Sequence, residues 1–435
     1  MSSQRVITAI DIGTDKCVTL IAIQDGETEQ LRIAGFAAIP SKGMKKSQII
    51  DLEQVLLTLN ESLDAAERMA GLEVKQAYIS VTGGHISSQN SRGVVAVASP
   101  DQEITAEDVT RVIEAARAIS LPSDREVIHV IPKDFSVDSQ TGIKDPVGMT
   151  GIRLESEAHI ITGLSPSLRN TEKCIHDLGI EIEGFVFSGL ASSQVVLTET
   201  EKELGVVVID IGAGSTSMSA FVDGSLEFSC SLPLGARHIT QDIALGCRVS
   251  LDAAERIKTH LSLDKTAQMI PLPGEIKPDF NKRRRQADQL HLSDLNLGDD
   301  SEVYSKRSII DGIMAPRLRE IFSLVGEKLE TNQLFPLVPA GLVITGGGAK
   351  TISICDVAKN TLKLPARIGQ PTAIPGLLSD VQDPVFATGV GLLVFASKRL
   401  GGETHNGFSF SALTKNFSLS KLKQQVGKFF KSILP

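Results

Sequence analysis

The stretch 206-VVVIDIGAGSTSM-218 is an apolar run closed by one acidic residue and a glycine-rich turn, and it has a counterpart near the amino end, 6-VITAIDIGTDKCV-18. An apolar strand that ends in a carboxylate and then glycines is a common preparation for phosphate. The nearest approach to a Walker loop, 346-GGGAKT-351, has Ala349 where a second glycine must precede the lysine. A dinucleotide fingerprint requires the glycines to open a helix. Here both I-D-I-G turns run into alternating stretches, Val18-Thr19-Leu20-Ile21 and Met218-Ser219-Ala220-Phe221, which predict a second strand. Each copy therefore reads as a strand-turn-strand hairpin.

Such a turn directs backbone N–H groups at an anion, and glycine allows the close approach that a Cβ would block. One copy alone reads equally well as a structural hairpin; two copies read as a clamp for one polyphosphate. Gly13, Thr14, Asp15 and Lys16 form the first loop; Gly212, Ala213, Gly214, Ser215 and Thr216 form the second, with Gly235 beyond it. Asp11 and Asp210 end the two strands, where carboxylates hold hydrated Mg²⁺ against phosphates. In 251-LDAAERIKTHLS-262, Glu255 and Lys258 share a helical face and suit a ribose and base pocket, although alone they are an ordinary surface ion pair. Gly346, Gly347 and Gly348 follow the apolar 341-GLVIT-345 and give the close backbone approach that a base or an α-phosphate needs.

With 435 residues the chain is long enough for about three domains. Five scattered cysteines form no C-x-x-C pair, so neither a disulfide framework nor a zinc site is expected, and a reducing cytosol fits. No cleaved signal is expected, and no run approaches the ~18 apolar residues of a spanning helix. A formal charge of −8 gives no overall attraction to nucleic acid or anionic membrane.

The fold expected is α/β and two-lobed, with duplicated phosphate-binding hairpins and an inserted small α+β unit. Residues 1–83 and 158–204 make the first lobe, 84–157 the insertion, and 205–237 with 311–400 the second lobe. Residues 238–310 are that lobe's small subdomain, with 271–304 as a mobile loop carrying 282-KRRR-285. Within the insertion, Thr105-x-x-Asp108 opens a helix, and separate strands are expected at 127–131 and 135–137. A single helix is expected over 306–330, another at 171–179, and a strand or helix near 385–397. Residues 401–418 read as a flexible linker.

The paired I-D-I-G turns, the A-E-R-I-K helix and the I-T-G-G-G turn resemble the actin/Hsp70/sugar-kinase superfamily, and within it the FtsA family of bacterial actin-like cell-division proteins. The stretches 84-GHISSQN-90, 128-IHVIPKDFSVDSQTGIKDPVGMTGIR-153 and 367-RIGQP-371 carry the closer likeness. The resemblance implies an actin-like fold whose insertion is SHS2-like, ATP with Mg²⁺ as ligands, and assembly into filaments. It also implies binding to the FtsZ C-terminal peptide, contact with later division proteins through the insertion, and residence at the division site on the cytoplasmic face of the inner membrane. Relatives that hydrolyse ATP briskly place a Glu or Gln in the segment 188–205. Gln194 is the candidate here, if it is not simply solvent-facing, so hydrolysis is expected to be slow or absent.

The last helix, 419-LSKLKQQVGKFFKSILP-435, can be read without any family. Leu422, Val426, Phe429, Phe430 and Ile433 fall with Leu419 and Leu434 within an arc of roughly 140°, while Lys421, Lys428 and Lys431 lie away from it. That pattern suits a helix lying in an anionic membrane surface, or one docked on protein. Two other functions share the superfamily fold: a sugar or acid kinase, and a pilus-assembly scaffold like PilM.

Overall fold

The computed structural model describes residues 4–401 apart from 27, 29, 99–100, 102, 264–276, 296–302, 373 and 375–378. The linker and amphipathic helix expected at 401–435, beyond Gly401 itself, lie outside the described residues, as do 271–276 and 296–302 of the 271–304 segment.

Two five-stranded sheets carry the same plan. In the first, Arg5–Ile12, Lys16–Gln24 and Leu31–Pro40 form an antiparallel meander, and Gln76–Val81 and Glu181–Phe187 extend it in parallel beyond Arg5–Ile12. In the second, Val206–Ile211, Thr216–Val222 and Ser225–Leu232 form the meander, and Gly341–Thr345 and Ala366–Ile368 extend it in parallel beyond Val206–Ile211. The duplication seen in two short motifs therefore extends to whole sheets. Its central strands are buried on both faces, which explains their unbroken apolar runs.

The helices Ser188–Val196 and Ala387–Gly401 pack between the sheets. A Cβ on Gly391 would fall 1.9 Å from the Ala191 carbonyl oxygen, so only glycine permits this crossing. Phe187, Leu190, Val195, Val390 and Leu393 make the apolar seam around it.

The insertion is a four-stranded sheet, ordered Ser87–Ala96, Arg153–Leu164, Arg125–Val137, Gln140–Ile143, backed by the helix Ala106–Arg117. Thr105 and Asp108 form the expected capping box. Although the insertion interrupts the first lobe, it also grips the second. Ser88 Oγ donates to the Ser229 carbonyl at 2.7 Å, and Lys133 bridges Glu157 and Glu227. His159 Nδ1 lies 2.6 Å from Asn90 Oδ1 and Nε2 lies 3.0 Å from Ser229 Oγ. Burial and the Lys133 charge push His159 down to about 3, so it is neutral, donating to Asn90 and accepting from Ser229.

Several expectations need correction. Residues 127–137 belong to one strand, Arg125–Val137, because a bulge opposite Glu157 and Ala158 accommodates Pro132. The boundary placed at Glu157 falls inside the strand Arg153–Leu164. The 282-KRRR-285 run is helical, on Lys277–Ala287, and the strand Gln289–His291 that follows pairs with Val303–Ser305 and buries Leu290. The helix read across 306–330 passes through a π segment, Ile310–Met314, just before Pro316, which lacks the N–H that a regular turn requires there. The helix expected at 171–179 begins earlier and spans Ser165–Asp177. The segment near 385–397 is helix. Among the described residues, no helix is long and apolar enough to cross a membrane.

Gly93 lies under the insertion's helix, and a Cβ there would meet the Val112 carbonyl oxygen at 2.2 Å and Ala116 N at 2.5 Å. Gly93→Ala is expected to destabilise the chain by about 2–3 kcal/mol. Gly179→Ala, which meets open space at φ +75°, should cost only about 1 kcal/mol. Urea unfolding of the two variants checks the difference.

Candidate functional site

The two I-D-I-G hairpins share one geometry. Ile12 pairs with Cys17 and Ile211 with Thr216, leaving four-residue loops, and Gly13 N–H donates to the Lys16 carbonyl at 3.0 Å as Gly212 N–H does to the Ser215 carbonyl at 2.9 Å. The loops face each other across a cleft of about 520 Å³ between the lobes. A Cβ on Gly214 would stand 2.3 Å from Thr14 Oγ1, so the loops touch where glycine leaves room.

Most of the expected residues line this cleft: Asp11 and Gly13 to Lys16 from one lobe; Asp210, Gly212, Ala213 and Ser215 from the other; Glu255 and Lys258; and Gly346 to Gly348. Three do not. Gly214 is taken up by the contact with Thr14, and Gly235 lies behind the second loop, packed on the carbonyls of Gly212 and Ala213. Thr216 is fully buried and donates its hydroxyl to the Leu234 carbonyl at 2.7 Å. Gln194 is also elsewhere: it lies outside the cleft lining, and its side-chain oxygen accepts from Lys398 at 3.3 Å.

The structure adds hydroxyls that no motif marked. Ser80 donates to Asp11 Oδ1 at 2.5 Å and Thr388 to Asp210 Oδ2 at 2.7 Å. Thr82 Oγ1 lies 2.7 Å from Ser217 Oγ, which lies 2.8 Å from Ser188 Oγ, joining the first lobe to the second and to the connecting helix. Single serines and threonines in strands carry no local signal, so only the fold reveals them.

Burial raises the Asp11 carboxyl, against the pull of Ser80 and Lys16. Burial pushes Asp210 up to about 7, with the Asp11 charge adding to it and Thr388 opposing. Two acidic groups thus face one cleft, each held by a hydroxyl and, among the described residues, neither in a salt bridge. Among the described residues, no three His, Cys, Asp or Glu converge to cage a metal. The donor set therefore fits a cation that keeps most of its waters and leans on one or two carboxylates, as Mg²⁺ does.

At the other end, Glu255 Oε2 accepts from Lys258 at 2.7 Å and from Thr240 at 2.5 Å. Burial raises the Glu255 carboxyl, but Lys258 and these hydrogen bonds outweigh it and hold it below its ordinary value. Gly346 has φ +82°, and a Cβ there would strike Asp210 Oδ1 at 2.2 Å. The glycine turn thus brings bare backbone up to the carboxylate.

The family model described as "SHS2 domain inserted in FTSA" matches residues 83–162, and that described as "Cell division protein FtsA" matches 207–391. The chain is 32% identical over 433 residues to the cell division protein FtsA of Pseudomonas aeruginosa, covering 98% of this chain and 96% of that one. It is 35% identical over 427 residues to FtsA of Borreliella burgdorferi, covering 97% and 98%. The chain belongs to the FtsA family of cell division proteins. Its FtsA architecture is the actin-like two-lobed fold with an SHS2 insertion. Among solved structures, the PilM-PilN type IV pilus biogenesis complex superposes with a TM-score of 0.60 at 15% identity, covering 90% of this chain and 98% of that one. MreB5 of Spiroplasma citri bound to ADP superposes with 0.51 at 14%, covering 91% and 98%. At those identities the likeness is one of fold.

For Asp210, folded and unfolded values near 7 and 3.8 set the sign of a pH effect. Between about pH 4 and 7 the folded chain keeps a proton that the unfolded chain has lost, so this group's contribution to stability declines as pH rises and levels off above about 7. Asp210→Asn is expected to flatten that slope. Unfolding midpoints of both proteins from pH 4.5 to 8 provide the check.

Proposed function

We propose that this chain is an ATP-binding, filament-forming division protein that tethers the FtsZ ring to the cytoplasmic face of the inner membrane through the helix 419–435. The observation that carries this reading is the pair of equivalent hairpin loops meeting across one cleft, with Asp11 and Asp210 beside them. A polyphosphate gripped by both loops binds the closed arrangement of the lobes better than an open one, so ATP favours one shape of subunit for assembly. Mg²⁺, when bound, supplies the positive charge that Asp11, Asp210 and the phosphates lack. The loop N–H groups orient the phosphates, and Glu255, Lys258 and Gly346 to Gly348 hold the nucleoside.

Turnover is slow in this reading. The connecting helix presents Ser188 to the cleft where a brisk ATPase needs a carboxamide or carboxylate to orient water. Ser188 is tied to Ser217, and Gln194 to Lys398. The likeness to FtsA proteins over nearly the whole chain supports an adaptor rather than a kinase, and supports the FtsZ peptide and other division proteins as partners.

The tail supplies the membrane contact. Each lysine near anionic lipid contributes about 1 kcal/mol, so one tail binds modestly and a filament of many tails binds firmly. Deleting 421–435 should release the protein from vesicles containing anionic lipid, and unchanged co-sedimentation would sink the anchor. Asp210→Ala should abolish ATP-dependent filaments on a lipid monolayer in electron micrographs, with ATP affinity falling at least tenfold. Full ATP affinity in that variant would show the cation site to be misplaced.

A further inference from the structure

A two-residue turn joins the short strands Met44–Lys45 and Gln48–Ile49, with Lys45 paired to Gln48. Its residues, Lys46 and Ser47, have φ of +50° and +59°. This is the left-handed pair that hairpins of such length fill with Asn-Gly. Neither residue here is glycine, so contacts rather than intrinsic preference hold the turn.

Those contacts reach both loops of the clamp. Ser47 N–H donates to Thr14 Oγ1 at 2.9 Å, and Ser47 Oγ lies 2.7 Å from Ser215 Oγ. A Cβ on Gly214 would come within 3.0 Å of Lys46 Cα, so the turn's backbone also sits on the second loop. Ser47 and Thr82 line both the main cleft and a side pocket of about 180 Å³ walled by first-lobe residues. Glu255 and Lys258 line the cleft from the second lobe. A nucleotide whose sugar lies on Glu255 and Lys258 therefore points the end of its phosphate chain toward Ser47. Glycine at 47 would remove the strain and keep the N–H; what it could not supply is the hydroxyl.

We infer that Ser47 distinguishes a nucleoside triphosphate from a diphosphate. Its N–H and hydroxyl, which bond Thr14 and Ser215, stand where the last phosphate of the longer chain enters between the loops, and they transfer to that phosphate's oxygens. A diphosphate ends short of the turn and leaves both bonds in place. This assignment rests on the nucleotide-binding reading of the cleft and adds to it a residue that reads the number of phosphates.

The test uses the full chain with Mg-ATP and Mg-ADP, comparing Ser47→Ala and Ser47→Gly with wild type. Both variants should lose about tenfold in ATP affinity, the loss expected for a hydrogen bond to a charged group, and stay within twofold for ADP. Ser47→Gly should unfold at a temperature no lower than wild type, since glycine accepts the turn, so its loss cannot be put down to misfolding. In wild type, amide exchange over residues 44–50 should be slower with ATP than with ADP, and that difference should shrink in both variants, which keep the N–H but lack the hydroxyl. Equal weakening of ATP and ADP, or an unchanged ratio, overturns this inference alone. Wild-type protein that binds neither nucleotide overturns the proposed function and this inference with it.

Discussion

Two carboxylates at the ends of equivalent strands point into one cleft from opposite lobes, and much of the molecule can be understood from what that arrangement demands. Burial raises the proton affinity of both Asp11 and Asp210, and the Asp11 charge raises that of Asp210 further. Each is held by one hydroxyl, Ser80 or Thr388, which steadies it without neutralising it. A salt bridge would have satisfied the acids more fully and would have removed the site's demand for a cation. The hydroxyls leave that demand open, and a magnesium-polyphosphate complex fits it in charge and in shape.

The same constraint explains why the loops are rich in glycine while their surroundings are rich in serine and threonine. Glycine at 214 and 346 lets Thr14 and Asp210 come closer than a Cβ permits. Hydroxyls at 47, 82, 188, 215 and 217 then span the gap between lobes, each able to donate or accept as the partner requires. A network of this kind can exchange a protein partner for a phosphate oxygen without leaving a buried charge unpaired.

The duplicated hairpins were legible in the sequence because an unbroken apolar strand, its terminal aspartate and its glycine turn are all local features. The order of the strands in each sheet came from the structure, which shows the second copy repeating the first strand for strand. What stayed illegible depends on distant contacts. Ser47 and Thr388 reach the site from a small hairpin and a C-terminal helix with no motif around them. Gln194 looked plausible from its place in the connecting segment, yet the crossing at Gly391 sets that helix so that Gln194 meets Lys398 instead of the cleft. The basic run 282–285 was read as loop from its charge and the nearby prolines, although Lys, Arg, Gln and Ala are good helix formers and Leu290 anchors the strand that follows.

The two lobes are held together by different forces at the loops and at the helix crossing. Around the loops, lobe meets lobe through hydroxyl pairs, each worth only about 1 kcal/mol net. At the crossing, the helices Ser188–Val196 and Ala387–Gly401 lie backbone against backbone at Gly391, inside an apolar seam that water cannot replace. Parting at the helix crossing costs more than parting at the hydroxyl pairs, so the crossing is where the lobes are held most firmly together. The insertion links the two lobes at the surface as well. Rooted in the first lobe but tied to the strand Ser225–Leu232 of the second by Ser88, Lys133 and His159, it would have to follow any change in the angle between the lobes or give up those bonds. His159 is neutral and its bonds are to Asn90 and Ser229, both uncharged, so releasing it exposes no charge; Lys133 keeps Glu157 of its own unit when it lets Glu227 go. The latch is thus built to yield, and under the proposed function a change in the number of phosphates between the loops would reach the insertion on the outside of the molecule.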